Sequence, residues 1–512
     1  MRSTTSLLNV RLLLVLACAL HFVLGASLGL SVDEAHYALY AAHPDWSYFD
    51  HPPMVGWVQW PLVALDAPTW MLRLVPELLW LGTALMVYRL AERIQVSGAY
   101  RATASPAVLS GQVLLRAAAG FWAVLVLSLA PLLHVLGIGL LPDTLLIFFT
   151  AWLMVLTLDL MDATVVQRPL PWLLLGVALG LSGLSKYTAI LAVPAVAVCL
   201  LMAHGWRLLR NPWLWLALFV ALLLVMPVVY WNHSNHWISF TYQAQHGAGG
   251  GWQWRHVVQF LVVQLLVYGP LLLWGLTCAG RSAACSDRVL LLFVGVPFAV
   301  LAVLSGGGTS LPHWTAPAWV AMAPFAGIAL ARAWNQGRRR LVASVAVIQG
   351  LLCAIALGLM FTGGYPLVTN VAGQGNGAAP SNPFADLHGW GEAGARARAL
   401  AAQQGLESVS VQNWTLASRL GWYARPLSVH VLEDRFDQFD LWAGDLPAGG
   451  NTLLVDWSQL GYVVPIGAHG FVDCMLLESK DVERLGRVIA SFRFYACHNW
   501  SGQPQPRLAG AS

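Results

Sequence analysis

This chain has few charged residues. Only 10% of its 512 residues are Asp, Glu, Lys or Arg, whereas 58% are hydrophobic, and the mean hydropathy is +0.63. Soluble globular domains carry about 25% charged residues, so the composition excludes an ordinary soluble protein. The chain also lacks a basic tract with interleaved aromatic residues, and we therefore expect no nucleic-acid partner. No internal repeat and no low-complexity tract are present.

Motifs of the common soluble enzymes are missing as well. There is no HExxH motif, no Cys/His pairing and no three-ligand spacing within one element, so we predict no required metal. A Walker loop and a glycine-rich turn after a strand are also absent, which argues against a nucleotide site, and we predict no cofactor. Of the seven cysteines, only Cys474 and Cys497 fall in the hydrophilic C-terminal part. We predict a disulfide between them if that part lies in an oxidising compartment.

What the sequence does contain is a series of long apolar runs. A membrane helix needs about 20 apolar residues. The first run lacks a small-x-small cleavage site and is too long for a signal peptide, so we predict that it stays as a span. The runs at 171–185 and 188–204 are short and predict a tight hairpin that bends at LSKYT. The sequence predicts about 11 spans, at 7–30, 69–91, 108–134, 142–160, 171–185, 188–204, 213–231, 256–278, 289–304, 315–333 and 341–362.

The basic residues occur in alternate loops. One set of loops contains nearly all the arginines of the membrane region, whereas 31–72, the region before Asp143, 232–254 and 305–314 are nearly free of Lys and Arg. The positive-inside rule places the arginine-rich loops in the cytoplasm. We therefore predict a multi-pass membrane protein whose unusual polar motifs face the side opposite the cytoplasm, which is the periplasm if the membrane is a bacterial inner membrane.

The composition changes after about residue 362. A Gly/Pro/Asn segment is typical of a linker, and the stretch beyond it has helical spacing at 391–405 and short strand-like runs at SVSVQ, LSVHVL, NTLLVDW and ASFRFYAC. We predict three regions: a transmembrane domain at 1–362, a linker at 363–382 and an α/β domain at 383–512 on the same side of the membrane as those polar motifs.

The loop after the first span contains an adjacent pair of carboxylates, Asp33 and Glu34, among many aromatic residues and a rigid His51-Pro52-Pro53 bend. Ionised groups beside hydrocarbon need partners or water, so this loop is a candidate site. The alternative is an acidic, solvated loop.

Two further charged residues occur where apolar runs begin or bend. Asp143 stands in LLPDTLL, where a span re-enters the membrane, and the alternative interpretation is a helix N-cap. Lys186 stands in GLSGLSKYTAI and is the only lysine among the first 479 residues. Its ammonium suits a phosphate, although a lysine that snorkels to the interface is the alternative.

Polar side chains in two later outer loops complete the candidate set. WNHSNHWISFTYQ contains Asn232 and His236, and LPHWTAPAW contains His313.

Together these motifs resemble the polyprenyl-phosphate-dependent glycosyltransferases of the GT-C fold. This superfamily includes the bacterial aminoarabinose transferases, related galacturonosyl and mannosyl transferases, and the protein O-mannosyltransferases. The first outer loop, DEAHYALYAAHPDWSYFDHPPMVGW, is similar to the first outer loop of that superfamily. LLPDTLLIFF, GLSGLSKYTAI, WNHSNHWISFTYQ and LPHWTAPAW resemble its later landmarks in the same order, and ADLHGWGE resembles part of its extracytoplasmic domain. One departure is His36, where many relatives have an aromatic residue.

The resemblance implies a transfer reaction and roles for these residues. A sugar on a polyprenyl phosphate, undecaprenyl phosphate in a bacterium, would pass with inversion to a lipid A, glycan or protein acceptor among the membrane lipids. Asp33 would be the general base, Asp143 a second catalytic carboxylate, and Lys186 the donor-phosphate ligand. The remaining candidates would bind substrate: Glu34, Tyr37, His51, Asn232, His236 and His313.

Two other classes of function remain as alternatives. A polytopic transporter or flippase of lipid-linked sugars would carry polar residues near mid-span and internal pseudo-repeats. An assembly or sensor protein would use the spans only as an anchor, and it would leave the acidic loop and Lys186 without a purpose.

Overall fold

We describe the protein from a computed structural model, in which residues 2–94, 118–279, 289–308, 310–368 and 382–506 are described. The chain divides into two compact units. The first comprises Met1–Val23, Pro44–Leu62 and Trp70–Ala354, and the second comprises Leu24–His43, Val63–Thr69 and Ile355–Ser512. The three regions predicted from composition remain a prediction, and most of the predicted linker lies outside the described residues.

Apolar helices account for most of the described chain up to Thr362. Within it, eight helices are long and apolar enough to cross a membrane, and two bent pairs raise the number to ten if each pair is one span. The predicted polytopic helical architecture is confirmed, whereas the count of about 11 spans stays a prediction. The eight helices are Leu8–Ser27, Thr69–Arg93, Pro142–Leu160, Tyr187–Arg210, Pro212–Ser234, Val289–Gly307, Pro312–Asn335 and Arg339–Thr362.

The bent pairs and one short helix account for the remaining predicted spans. Ala118–Leu127 and Pro131–Ile138 meet at 76°, and Trp254–Tyr268 and Leu272–Cys278 meet at 104°. Residues 108–117 of the predicted third span lie outside the described residues. The helix Pro169–Ser185 is apolar but has only 17 residues, and it precedes Lys186 as the predicted hairpin requires.

Burial distinguishes a central helix from peripheral ones. Inside the most apolar part of Pro312–Asn335, 94% of the residues are buried, whereas only 11% are buried in the corresponding part of Pro212–Ser234. Close packing within the first unit depends on small residues, as is usual for helices that meet in lipid. A Cβ at Gly176 would lie 2.5 Å from the Ala217 carbonyl oxygen, so only glycine lets these two helices approach.

Shorter helices connect and flank the spans. In the first unit they are Met54–Trp57 and Ile238–Ala248, and in the second unit they are Val32–Ala42, Pro383–Leu387, Trp390–Gln404, Trp414–Tyr423 and Gln438–Trp442; the helix Trp60–Ala64 has residues in both.

A five-stranded sheet follows the last span, as predicted. Its strands are β1 (Ser408–Val411), β2 (Ser428–Val431), β3 (Thr452–Trp457), β4 (Phe471–Arg484) and β5 (Arg487–Trp500), in the order β2-β1-β3-β5-β4. The first three strands are parallel, and β5 runs antiparallel to both β3 and β4. Cys474 and Cys497 are partners in the β4–β5 register and form the predicted disulfide. The long strand β4 was not expected, because its mixed polar sequence lacks a clear alternation of apolar and polar residues.

Candidate functional site

The first unit contains a buried ion pair between Asp143 and Lys186. Lys186 Nζ donates to both carboxylate oxygens of Asp143, at 2.8 Å and 2.6 Å, and the two residues are only 4% and 1% exposed. A buried ion pair is tolerated only when its geometry compensates for lost hydration. The bidentate contact provides that compensation, and the structure therefore brings together two of the residues predicted from sequence.

Local structure explains how each partner is presented. Pro142 occupies the start of its helix, where a missing N–H costs nothing, and the N-cap is Leu141. Thr144 Oγ1 accepts from the Leu141 N–H at 3.2 Å, so the alternative of Asp143 as an N-cap is wrong. Lys186 has extended backbone between the helix ending at Ser185 and a 3-10 helix. Its ammonium is buried and contacts the Asp143 carboxylate instead of extending to the interface, so the snorkelling alternative is also wrong.

Two predicted histidines and one tryptophan surround the ion pair. His313 Nε2 lies 3.7 Å from Asp143 Oδ2, and its side chain is 19% exposed. His51 also interacts electrostatically with the Asp143 carboxylate. Lys186 Nζ stands 5.7 Å from the centre of the Trp314 ring, within the range of a cation–π contact. The cluster thus combines one carboxylate, one ammonium and two imidazoles, and His313 remains reachable from outside.

The other two candidates of the first unit differ in exposure. Asn232 is fully buried, and its Nδ2 donates to the Val228 carbonyl at 3.0 Å. Its carbonyl oxygen is buried beside the Tyr187 hydroxyl, next in sequence to Lys186. His236 is exposed at a turn, with a left-handed backbone angle φ of 55° followed by 60° at Trp237. Such angles are strained for non-glycine residues and often mark functional turns.

Metal ligation has no geometric basis in the part of the chain that the structure describes. No group of three or more His, Cys, Asp or Glu side chains there is placed to hold a metal ion.

The second unit contains the other predicted acid, Asp33, near the start of helix Val32–Ala42. Ser31 caps this helix, and Glu34 completes a capping box by accepting from the Ser31 N–H at 3.0 Å. The sequence S-x-x-E therefore accounts for Glu34 as a support of the loop. Asp386 Oδ2 accepts from the Val32 N–H at 3.3 Å, which ties the helix start to the C-terminal part of the chain.

A buried arginine connects Asp33 with Asp386. Arg419 Nη2 lies 2.5 Å from Asp386 Oδ1, and its guanidinium is packed against the rings of Trp390 and Trp457, at 4.3 Å and 5.0 Å from their centres. Burial lowers the pKa of Arg419, while the charges of Asp386 and Asp33 act in the opposite direction. The three groups form one network within the second unit.

Aromatic residues anchor the rest of the Val32–Ala42 helix. The predicted binding residue Tyr37 is 6% exposed, and its ring contacts those of His36 and Tyr40. His36 Nδ1 lies 3.0 Å from Ser418 Oγ, and its ring meets that of Trp414 at 5.6 Å. The departure at His36 thus gives the helix a hydrogen bond to the C-terminal part of the chain that an aromatic hydrocarbon ring could not make.

Several residues of these networks were not found from sequence. Asp386 stands inside the motif ADLHGWGE and Arg419 inside the segment SRLGWYAR, but a lone charge gives no indication of its partner. Gln264 lies in an apolar helix and carries no motif at all. Only the folded chain shows that its buried carbonyl oxygen accepts from Thr315 Oγ1 at 2.5 Å, two residues from His313.

Comparison with known proteins agrees with this architecture. The model of the dolichyl-phosphate-mannose-protein mannosyltransferase family matches residues 108–231. Lipid A galacturonosyltransferase RgtD from Rhizobium johnstonii is 24% identical over 415 residues, which cover 78% of this chain and 79% of that protein.

Solved structures show the same fold. The crystal structure of ArnT from Cupriavidus metallidurans bound to undecaprenyl phosphate superposes with a TM-score of 0.63 at 18% identity, and its apo state superposes with a TM-score of 0.59. Each alignment covers 97% of this chain and 99% of the other. The polytopic helical region and the C-terminal sheet domain are therefore features of one known fold.

Proposed function

Because this chain is a multi-pass membrane glycosyltransferase of the GT-C superfamily, we propose that it transfers a sugar from a polyprenyl phosphate to lipid A. The observation that carries the proposal is the buried ion pair of Asp143 and Lys186, with His313 beside it. The transporter alternative is not favoured, since the relatives that match along the chain are transferases.

The donor chemistry follows from what the ion pair can bind. When the bond between the anomeric carbon and the phosphate oxygen breaks, the lipid phosphate leaves with one additional negative charge. An ammonium has three N–H donors, of which Asp143 can occupy two. Lys186 therefore retains a donor for a phosphate oxygen, and a charge fixed in a dry site stabilises the leaving group more strongly than it would in water.

Asp143 has an orienting role in this scheme. Both of its oxygens accept from Lys186, so it holds the ammonium in place. That role differs from the proton transfer of a general base. His51 and His313 are placed to bind the phosphate or the sugar, because both interact with the same carboxylate.

We assign the general base to Asp33, as the resemblance of the DEAHY loop implies. An acceptor hydroxyl attacks the anomeric carbon, its proton passes to Asp33, and the configuration inverts. The electrostatic coupling of Asp33 with Arg419 supports this role, because a neighbouring cation favours the ionised carboxylate that a base requires. A lipid A acceptor is consistent with the name of the galacturonosyltransferase relative, and we propose that the reaction takes place on the periplasmic side of the inner membrane.

A transfer assay tests the proposal with matched controls. Protein in nanodiscs is given a synthetic undecaprenyl phosphate carrying a radiolabelled sugar, together with lipid A. We expect Asp33→Asn to lower turnover by about 10²- to 10⁴-fold and Lys186→Ala by about 10²- to 10³-fold. Lys480→Ala is the control, since this second lysine pairs with the exposed Glu392 on the sheet domain. Full activity in Asp33→Asn would remove the proposed base.

A further inference from the structure

A cavity lined by both polar and apolar side chains lies in the first unit, and its wall includes Pro312, the residue before His313. Its volume is about 200 Å³, which is small compared with the roughly 300–1,000 Å³ of pockets that enclose a whole ligand. It can take a substituent of a substrate or several waters. The described residues that line it include His256, Gln259, Gln264, Ser310 and Pro312, and none of the lining residues is acidic.

Gln264 gives this cavity its hydrogen-bonding character. The side chain is 1% exposed, and its Oε1 accepts from Trp319 Nε1 at 2.9 Å and from Thr315 Oγ1. An indole N–H can only donate, so the contact with Trp319 determines which end of the amide is oxygen. The Nε2 end has no hydrogen-bond partner among the described residues. The side chain that carries these two N–H donors is one of the residues that line the cavity.

The nearby charges favour the same kind of occupant. His256 Nδ1 donates to the Gly306 carbonyl at 3.0 Å, and Arg255 Nη2 approaches His256 Nε2 at 3.4 Å. The immediate surroundings therefore contain a guanidinium and an amide donor. Buried donors are rarely left unpaired, so an occupant with acceptor oxygens would supply the missing partner.

The cavity shares one turn of backbone with the ion pair. Pro312 lines the cavity, the next residue is His313, and Thr315 bonds both to Gln264 and to the Pro312 carbonyl. The cavity wall is therefore connected through one turn of backbone to the histidine that lies beside Asp143.

We propose that this cavity is a subsite for an anionic oxygen group, a carboxylate or a phosphate, of a substrate bound at the Asp143–Lys186 site. The proposal rests on the proposed function, which supplies two sources of such a group. One is the carboxylate of a uronic acid carried by the donor, and the other is a phosphate of lipid A.

The first experiment measures equilibrium binding, so it does not require turnover. Protein in nanodiscs is titrated with galacturonosyl undecaprenyl phosphate, with its neutral galactosyl counterpart and with lipid A. Gln264→Glu keeps the oxygen that holds Thr315 and Trp319 but replaces the two donors by a second acceptor oxygen. We expect Gln264→Glu to weaken binding of the ligand whose anionic group enters the cavity by about tenfold or more, as for loss of a hydrogen bond to a charged group.

The ligands distinguish the sources. Weaker binding of the galacturonosyl donor with unchanged binding of the galactosyl donor identifies the sugar carboxylate, and weaker binding of lipid A identifies a phosphate. Unchanged binding of all three ligands by a folded Gln264→Glu protein overturns the proposal.

A second pair of variants leaves Gln264 intact. Ser310→Leu narrows the cavity, whereas Ser310→Ala removes the same hydroxyl without filling the space. We expect only the leucine variant to weaken binding of the same ligand. If Gln264→Glu does not fold, the two Ser310 variants still test whether the cavity is a subsite. Equal affinities of Ser310→Leu and Ser310→Ala for the ligand would reject the subsite. If the wild-type protein binds these ligands but transfers no sugar, the proposed function is refuted. The measured affinities of the variants would still test the subsite in that case.

Discussion

Two buried charge networks of this protein are built in different ways. In the first unit, Asp143 and Lys186 come from apolar helices and bind each other directly at 2.6 Å. In the second unit, Asp33 begins a short capped helix, and Arg419 and Asp386 reach it from the C-terminal part of the chain. A carboxylate that accepts from an ammonium with both oxygens suits a phosphate-binding site, whereas the base is assigned to Asp33 from the resemblance of its DEAHY loop. The two acids are therefore assigned different roles.

The largest expected effect comes from separating the partners of the first network. Asp143→Asn leaves a buried ammonium without its counter-charge, and removal of one partner of a buried pair costs about 3–5 kcal/mol. We expect a large fall in thermal stability in nanodiscs, which the double variant Asp143→Asn/Lys186→Met partly reverses.

Asp159→Asn is the matched control, because Asp159 stands at the other end of the same helix in a half-exposed pair with Arg93. Surface pairs contribute about 0–1 kcal/mol. If the losses of stability in Asp143→Asn and Lys186→Met added up to the loss in the double variant, the ion pair would contribute nothing to stability.

Removing the disulfide tests whether the sheet domain can lose stability without a loss of sugar-transfer activity. Cys474 and Cys497 enclose a loop with a sequence separation of 23 residues, for which chain entropy gives about 3 kcal/mol. We expect Cys474→Ser/Cys497→Ser to lower the melting temperature with turnover unchanged below it. A loss of turnover at temperatures where the variant is folded would connect this hairpin to the reaction.

Arg419 tests the second network by its effect on proton transfer. Arg419→Met removes the cation that favours ionised Asp33, and we expect kcat to fall by roughly 10- to 100-fold while the KM for the donor is unchanged. The acid limb of the pH–rate profile should move to higher pH. Arg425→Met is the control, since this arginine is packed against the Trp422 ring in the same unit. An unchanged pH profile would show that Arg419 has only a structural role.

The smallest effect concerns the pH dependence of the second unit. Burial, together with the neighbouring Asp440, raises the pKa of Asp437 from 3.8 to about 7, while the Phe439 N–H, His36 and Arg435 oppose the rise. The folded state therefore binds a proton more tightly than the unfolded state, and this carboxyl destabilises the fold progressively as pH rises from about 4 to about 7.

Asp437→Asn keeps the helix cap and should make stability less dependent on pH between about 4 and 7. Above pH 7 we expect the variant's free energy of unfolding to exceed that of the wild type by at most a few kcal/mol. Thermal unfolding between pH 4 and pH 8 measures this difference. A variant with the same slope as the wild type would contradict the assignment to Asp437.

Much of the architecture could be predicted from the sequence, because that information is local or periodic. Apolar length predicts spans, glycines precede and follow the helix Trp390–Gln404, and the arginine distribution predicts which loops are cytoplasmic. The individual charged residues were also recognisable, since Lys186 and Asp143 stand out against an apolar background.

Only the tertiary structure decided which of these charges meet. Lys186 and Asp143 are 43 residues apart, and Arg419 and Asp33 are separated by nearly four hundred. No periodicity encodes such a pairing, since it depends on how helices pack at contacts such as Gly176 with Ala217. The unpartnered donors of Gln264 could not be predicted from the sequence either, because a missing hydrogen-bond partner can be recognised only when the positions of all neighbouring groups are known.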